Sequence, residues 1–265
     1  MRRVSATARA TATGDTEFLV AMGAANSYQR EEVLTVRWND TFPPLQQESY
    51  EHLGCAVRFS TGAGGVEVEY SATIEHYADP LPMLLGETEM YLRPSRYCEV
   101  FELQSFVSER FGRASGWNAV DAVTNWVHRN FTYSPEFSGI DDSAISTLKK
   151  SGGMCRDYAH VTISLLRALG IPARYVSTFA PGLTPQDFHA VVEVFLDEAW
   201  WVVDATRLAP RGSLVRIATG RDALDCAFMS NTGAMIELNG LSVTASDDQL
   251  AEDAVDDPKQ RVQLR

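Results

Sequence analysis

The spacing of hydrophobic and polar positions changes about a third of the way along the chain. Before that point it alternates. In "GVEVEYSATIE" (65–75), Val66, Val68, Tyr70, Ala72 and Ile74 are each separated by one residue, mostly polar, the period-two pattern of a half-buried strand. "EFLVAMG" (17–23), "EEVLTVRW" (31–38) and "CAVRFS" (55–60) are shorter runs of the same kind, and "TGAGG" marks a turn. Strands spaced this way predict a small antiparallel sandwich or barrel over residues 1–90. The Pro-rich stretch "ADPLPMLLGETEMYLRPSRYC" (78–98) reads as a connector.

Helical spacing then takes over. "EVFELQSFVSERFG" (99–112) suits a helix ended by Gly112, and Trp117, Val120, Val123, Val127 and Phe131 form one apolar stripe. A third helix is predicted from Cys155 to Leu169, closed by Gly170 and Pro172. It is apolar nearly all round, so it is central and buried. "ARYVSTFA" (173–180) reads as a strand. "HAVVEVFLDEAWWVVDATRL" reads as a hairpin with strands at 189–196 and about 199–206. The last stretch, 241–265, is polar and acidic and is expected to be a flexible tail.

At 265 residues the chain can bury a substantial core. Its net charge of −12, with no run of Lys and Arg, argues against nucleic-acid binding. No segment approaches the roughly 20 apolar residues of a membrane span, and the Arg-, Thr- and Ala-rich start lacks the apolar stretch of a secretory signal. Four widely spaced cysteines, with no C-x-x-C pair, fit neither a zinc ribbon nor a disulfide framework, and point to a reducing, cytoplasmic setting.

Chemistry concentrates at "SGGMCRDYAH" (151–160). Cys155 stands where a helix begins, and it could be a core residue, a metal ligand or a nucleophile. The free N–H groups of a helix start favour negative charge, and the backbone N–H of Cys155 could stabilise an oxyanion. Gly152 and Gly153 leave room for a sharp turn or a close approach. A nucleophilic thiol needs a base, and His189, opening a strand directly after a loop, is well placed. A two-residue turn at Asp197-Glu198 pairs Leu196 with Ala199. That puts Asp204 opposite Val191, diagonal to His189 and on the same face, at roughly 7–8 Å before the side chains lean together. "WWVVDAT" surrounds Asp204 with apolar residues, so its charge needs a partner.

"GGMCRDYAHVTISLLRALGIPARYVS", followed by "DFHAVVEVFLDEAWWVVDAT", resembles the transglutaminase-like superfamily. "YLRPSRYCE" (91–99) and "GRDALDCAF" (220–228) extend the likeness to bacterial members with a β-rich N-terminal domain. The resemblance implies an α+β, papain-like fold over 91–240, in which a central helix bearing the nucleophile packs on an antiparallel sheet. It implies Cys155 as nucleophile, His189 as general base and acid, and Asp204 as the carboxylate that orients it. Asp157, Tyr158, His160 and Asp225 are expected to line the site or to support it from the core. Cys55, Cys98 and Cys226 are expected to be packing residues. Two positions depart from the family pattern: Val191 stands where an aromatic is common, and Ala205 where a proline is.

The implied activity is acyl transfer on an amide bond through a thioester, with hydrolysis favoured over amine capture. The substrate is a peptide or protein, and neither a metal nor an organic cofactor is required. Oligomeric state is not legible. The rival readings are a non-catalytic scaffold that binds a peptide or protein, and a metal site built from Cys155, His160 and His189.

Overall fold

The computed structural model describes residues 1–48, 50, 53–251 and 260–265. The chain runs through six strands: β1 (Arg2–Ala12), β2 (Thr16–Val20), β3 (Arg30–Trp38), β4 (Gln46–Glu48), β5 (Ala56–Thr61) and β6 (Gly64–Ile74). Helices α1 (Glu87–Met90), α2 (Gln104–Phe111) and α3 (Gly116–Asn130) follow. Strand β7 (Thr132–Tyr133), helix α4 (Ala144–Lys150), strand β8 (Gly152–Gly153) and helix α5 (Cys155–Ala168) come next. Six further strands complete the order: β9 (Ala173–Phe179), β10 (Phe188–Leu196), β11 (Ala199–Val203), β12 (Val215–Gly220), β13 (Met229–Gly233) and β14 (Ile236–Asp247).

The sheet that carries the chemistry has the order β11-β10-β9-β12, with every neighbouring pair antiparallel. Helix α5 lies on it. Ala159, Val161, Ile163, Leu165 and Leu166 are all buried, consistent with a helix that is apolar on nearly every side. The α3 stripe closes the other flank of α5, burying Val120, Val123 and Val127. At the hairpin, Leu196 pairs with Ala199, and Asp197 and Glu198 both have positive φ (50° and 61°), as a two-residue turn requires. The register predicted from the turn is therefore the one observed.

Two further antiparallel sheets, β14-β1-β6-β3 and β13-β2-β5-β4, hold the remaining long strands. Val66, Val68, Tyr70, Ala72 and Ile74 face inward as their alternation predicts. β1 is a difference from the sequence reading. "RRVSATARATA" buries Arg2, Val4, Ala6, Ala8, Ala10 and Ala12, a period-two pattern built from residues too small to register as a hydrophobic strand.

The expected flexible tail is also corrected. Residues 241–247 belong to β14, which pairs with β1 along its whole length, and Val262 bridges to Val202. Residues 252–259 of that stretch lie outside the described residues, as does His52. β13 and β14 join strands from the first third of the chain, so the boundaries expected at 90 and 240 do not separate contiguous units. The β-sheets draw on both ends of the chain.

The expected connector 78–98 holds Glu87 and Tyr91 in the interior. Glu87 pairs with the buried Arg174 (3.1 Å), and Tyr91 meets Trp200 edge to face. Arg174 and Arg216 both grip Glu193 (2.8 and 2.6 Å), giving one buried cluster of two cations and two carboxylates. Burial opposes ionisation of Glu193, but the two guanidiniums overcome it and bring its carboxyl down to about 2.

Candidate active site

Cys155 occupies the first helical position of α5 and is partly exposed, whereas Cys55, Cys98 and Cys226 are buried; all four are free thiols. The reason the helix starts here is local. Asp157 Oδ2 accepts the Met154 N–H (2.8 Å) and the Ser138 hydroxyl (2.6 Å), capping the first turn and tying down the loop before α4. The two glycines serve the same closure. A Cβ on Gly153 would lie 2.6 Å from the Asp157 side chain, and one on Gly152 would lie 2.8 Å from the Thr132 carbonyl oxygen. They admit neighbouring protein atoms rather than a turn of the chain.

His189 opens β10 and is fully enclosed. Its Nε2 lies 2.8 Å from Asp204 Oδ2. Asp204 Oδ1 accepts both the Thr206 backbone N–H (2.8 Å) and the Thr206 hydroxyl (2.7 Å), so the carboxylate is held on both oxygens. Burial disfavours an imidazolium at His189. The charge and hydrogen bond of Asp204, together with the Cys155 side chain, outweigh it and push the imidazole up to about 10. Burial likewise opposes the Asp204 carboxylate, but His189 and Thr206 outweigh it and bring its pKa below the ordinary aspartate value. Nδ1 of His189 is buried with no hydrogen bond to the rest of the protein, and Cys155 is the neighbour that acts on the ring from the groove.

Tyr133 was missed by the sequence reading. Thr132 and Tyr133 pair in parallel with Gly152 and Gly153, which brings the Tyr133 ring beside the start of α5, 5.8 Å from the Tyr158 ring. Burial, then the charge and hydrogen bond of Cys155, push the Tyr133 phenol up, while the Cys155 backbone N–H pulls it back. Tyr133 is thus close enough to Cys155 for the two to influence each other's ionisation. No local pattern in "FTYSP" announces this, because the approach depends on a strand pair joining residues 20 apart in the chain. Thr206 was also missed, although an Asp accepting the N–H two residues on is a recurrent local turn.

Cys155 and His189 open onto one groove of about 370 Å³, walled by Tyr97, Tyr175, Phe188, Ile217, Cys226 and Phe228. Of the four residues expected to line it or to support it from the core, none is in its wall. Asp157 caps the helix. Tyr158 donates its hydroxyl to the Phe131 carbonyl (2.9 Å). His160 is stacked on Tyr97, and its Nε2 accepts the Ala223 N–H (3.2 Å). Burial, then the charges of Arg156 and Arg167, push that imidazole down to about 3, so it is neutral and structural. Asp225 turns to Arg221 (2.8 Å), and its neighbours Ala223, Leu224, Cys226, Ala227 and Phe228 form the wall instead. His160 and His189 have separate partners. Among the described residues, no three His, Cys, Asp or Glu side chains gather as metal ligands would.

The chain is similar to several known proteins. Residues 106–205, which contain Cys155, His189 and Asp204, match the family model described as Transglutaminase-like superfamily. The chain is 30% identical over 146 residues to the uncharacterized protein ML0607 of Mycobacterium leprae, a match spanning 51% of this chain and about half (52%) of that protein. A crystal structure of a candidate cysteine protease from Cytophaga hutchinsonii superposes with a TM-score of 0.85 at 29% identity, covering 97% of this chain and 95% of the other. The periplasmic domain of TgpA from Pseudomonas aeruginosa matches more distantly, with a TM-score of 0.40 at 16% identity over 74% of this chain and 88% of that one. Residues 106–205 thus carry a transglutaminase-like domain, within a fold similar to that of the candidate cysteine protease from Cytophaga hutchinsonii.

Proposed function

We propose that the protein is a cysteine-dependent hydrolase of amide bonds in peptides or proteins. The observation that carries this reading is the buried His189–Asp204 pair. Asp204 occupies one ring nitrogen at 2.8 Å and leaves the other to the groove that also holds Cys155.

In this mechanism Nδ1 of His189, whose imidazolium form Asp204 favours, takes the Cys155 proton before the sulfur attacks the scissile carbonyl carbon. The carbonyl oxygen becomes an oxyanion, held by the Cys155 backbone N–H and the Tyr133 hydroxyl. The imidazolium, stabilised by Asp204, returns its proton to the leaving nitrogen as the C–N bond breaks. A thioester and a free amine result. Water then attacks the thioester with His189 again as base, releasing the acid and restoring the thiol. Hydrolysis is favoured over amine capture because Cys155 is partly exposed and the groove rim carries the exposed residues Ile140 and Leu224, so water reaches the thioester. Four free thiols support a reducing compartment, and we place the protein in the cytoplasm on that ground. No helix among the described residues is long and apolar enough to cross a membrane.

The test is a peptide-library screen comparing wild type with Cys155→Ala, with and without added primary amines. Hydrolysis products that vanish in the variant support the reading. Amine adducts in place of acids would establish a transferase. Binding of peptides without turnover in either protein would establish a scaffold.

A further inference from the structure

The groove beside Cys155 has a chemistry of its own. Tyr175 and Ile217 are buried in its wall, Phe188 and Phe228 are partly buried, and the rim residues Ile140 and Leu224 are 80% and 58% exposed. No carboxylate or amide side chain is among its lining residues. Its one guanidinium, Arg156, is already engaged. It donates to the carbonyls of Gly139 and Ile140 and pairs with Asp157 at 3.1 Å. A charged side chain entering this groove would lose water and meet only the hydroxyls of Ser177, Tyr97 and Tyr175, with no opposite charge, and a glutamine amide would meet no matched amide or carboxylate. An aromatic or bulky aliphatic side chain would lose nothing. A volume of about 370 Å³ is at the small end for a ligand pocket, the size for one or two side chains rather than a long segment.

We propose that this groove is the specificity pocket for the acyl side of the scissile bond, and that it selects a large apolar side chain, aromatic or branched aliphatic, over glutamine, charged residues or glycine. The proposal rests on the hydrolase reading for the identity of the substrate, but the pocket's preference does not depend on turnover. The same wall accounts for residues 223–228. The Ala223 N–H is bonded to His160, and Asp222 Oδ2 accepts the Tyr97 N–H (3.0 Å). These two buried anchors hold the loop that carries Leu224, Cys226, Ala227 and Phe228 against the groove.

Two measurements test it. The first is a quenched-peptide library varied at the residues on the acyl side and assayed with wild type. The second is calorimetric binding of N-acetyl-phenylalaninamide, N-acetyl-leucinamide, N-acetyl-glutaminamide and N-acetyl-glycinamide to Cys155→Ala, which needs no chemistry. The expected result is at least about tenfold selection for the apolar members over glutamine and glycine, the scale an apolar pocket delivers. Ala227→Phe, checked for folding by its thermal transition, fills the groove and removes that selection. Turnover with indifference to the acyl-side residue, or with preference for glutamine or charge, overturns the pocket and leaves the hydrolase. Apolar selection in binding with no turnover supports the pocket and overturns the hydrolase. No selective binding and no selective turnover overturns the pocket.

Discussion

Asp204→Asn changes only one atom and a charge, yet the hydrogen bonds around Asp204 dictate a large effect. Oδ1 accepts the Thr206 backbone N–H, which can only donate, so an asparagine must keep its carbonyl oxygen there. Its NH₂ then replaces Oδ2 and points at Nε2 of His189, 2.8 Å away in the wild type. Two donors cannot share that contact. Nε2 must therefore lose its hydrogen, and the neutral ring carries its proton on Nδ1, the nitrogen that should accept from Cys155. The charge that lifts the imidazole to about 10 is also gone, and burial now opposes the imidazolium with only the Cys155 side chain left to favour it. The preference for imidazolium therefore falls, and with it the ring's capacity to hold the Cys155 proton. The expected result is a fall of roughly 10³–10⁴-fold in kcat, the scale of a misprotonated histidine in a nucleophile–histidine–carboxylate site. Alkylation of Cys155 by iodoacetamide reports the same defect without a substrate, and nitrogen chemical shifts of His189 report the tautomer. The stability profile offers a third readout. Because folding raises the His189 pKa, its contribution is fully present below about pH 6.5 and is lost as pH rises towards about 10. Wild type should show that slope and the variant should lack it. Alkylation within about threefold of wild type, or a His189 still protonated on Nε2, would refute the reasoning.

The buried thiols make a sharp labelling prediction. One of the four cysteines, Cys155, should react in native protein, the other three only on unfolding, and Cys155→Ala should remove the label, as read by intact mass. Tyr133→Phe should lower kcat by about 10²–10³-fold with KM little changed if its hydroxyl holds the oxyanion, and a change confined to KM would contradict that role. Glu193→Gln breaks the cluster with Arg174 and Arg216 and should cost about 3–5 kcal/mol in urea unfolding. Since folding lowers the Glu193 pKa, its wild-type contribution is present above about pH 4.5 and is lost as pH falls towards about 2. Deleting residues 236–265 removes β14 and bares an edge of β1, so the shortened chain should unfold at lower temperature and self-associate, by calorimetry and light scattering.

Local patterns in the chain reached a good part of this. The alternation in β6, the stripe of α3 and the all-round apolarity of α5 each depend on residues within one element, where spacing and burial are directly linked. The hairpin is the clearest case. A two-residue turn at Asp197-Glu198 sets the register, and the register puts Asp204 and His189 on one face without knowledge of the rest of the fold. β1 and β14 were not legible. β1 packs alanines, whose small side chains carry little hydrophobic signal. β14 is an edge strand that buries few of its side chains, chiefly Val243 and Ala245, so backbone hydrogen bonds to β1 do most of the holding. Any polar sequence of suitable shape can make those bonds.

The amino-acid order alone thus determined which residues could react and how two of them face each other, because a strand's period and a turn's length are local quantities. The fold decided what surrounds them. It set the approach of Tyr133 to Cys155, the turning of Asp157 and His160 to structural partners, and the apolar wall built from residues 223–228. Each of these joins segments far apart in the chain, and the close packing that brings them together is a property of the whole core rather than of any one stretch.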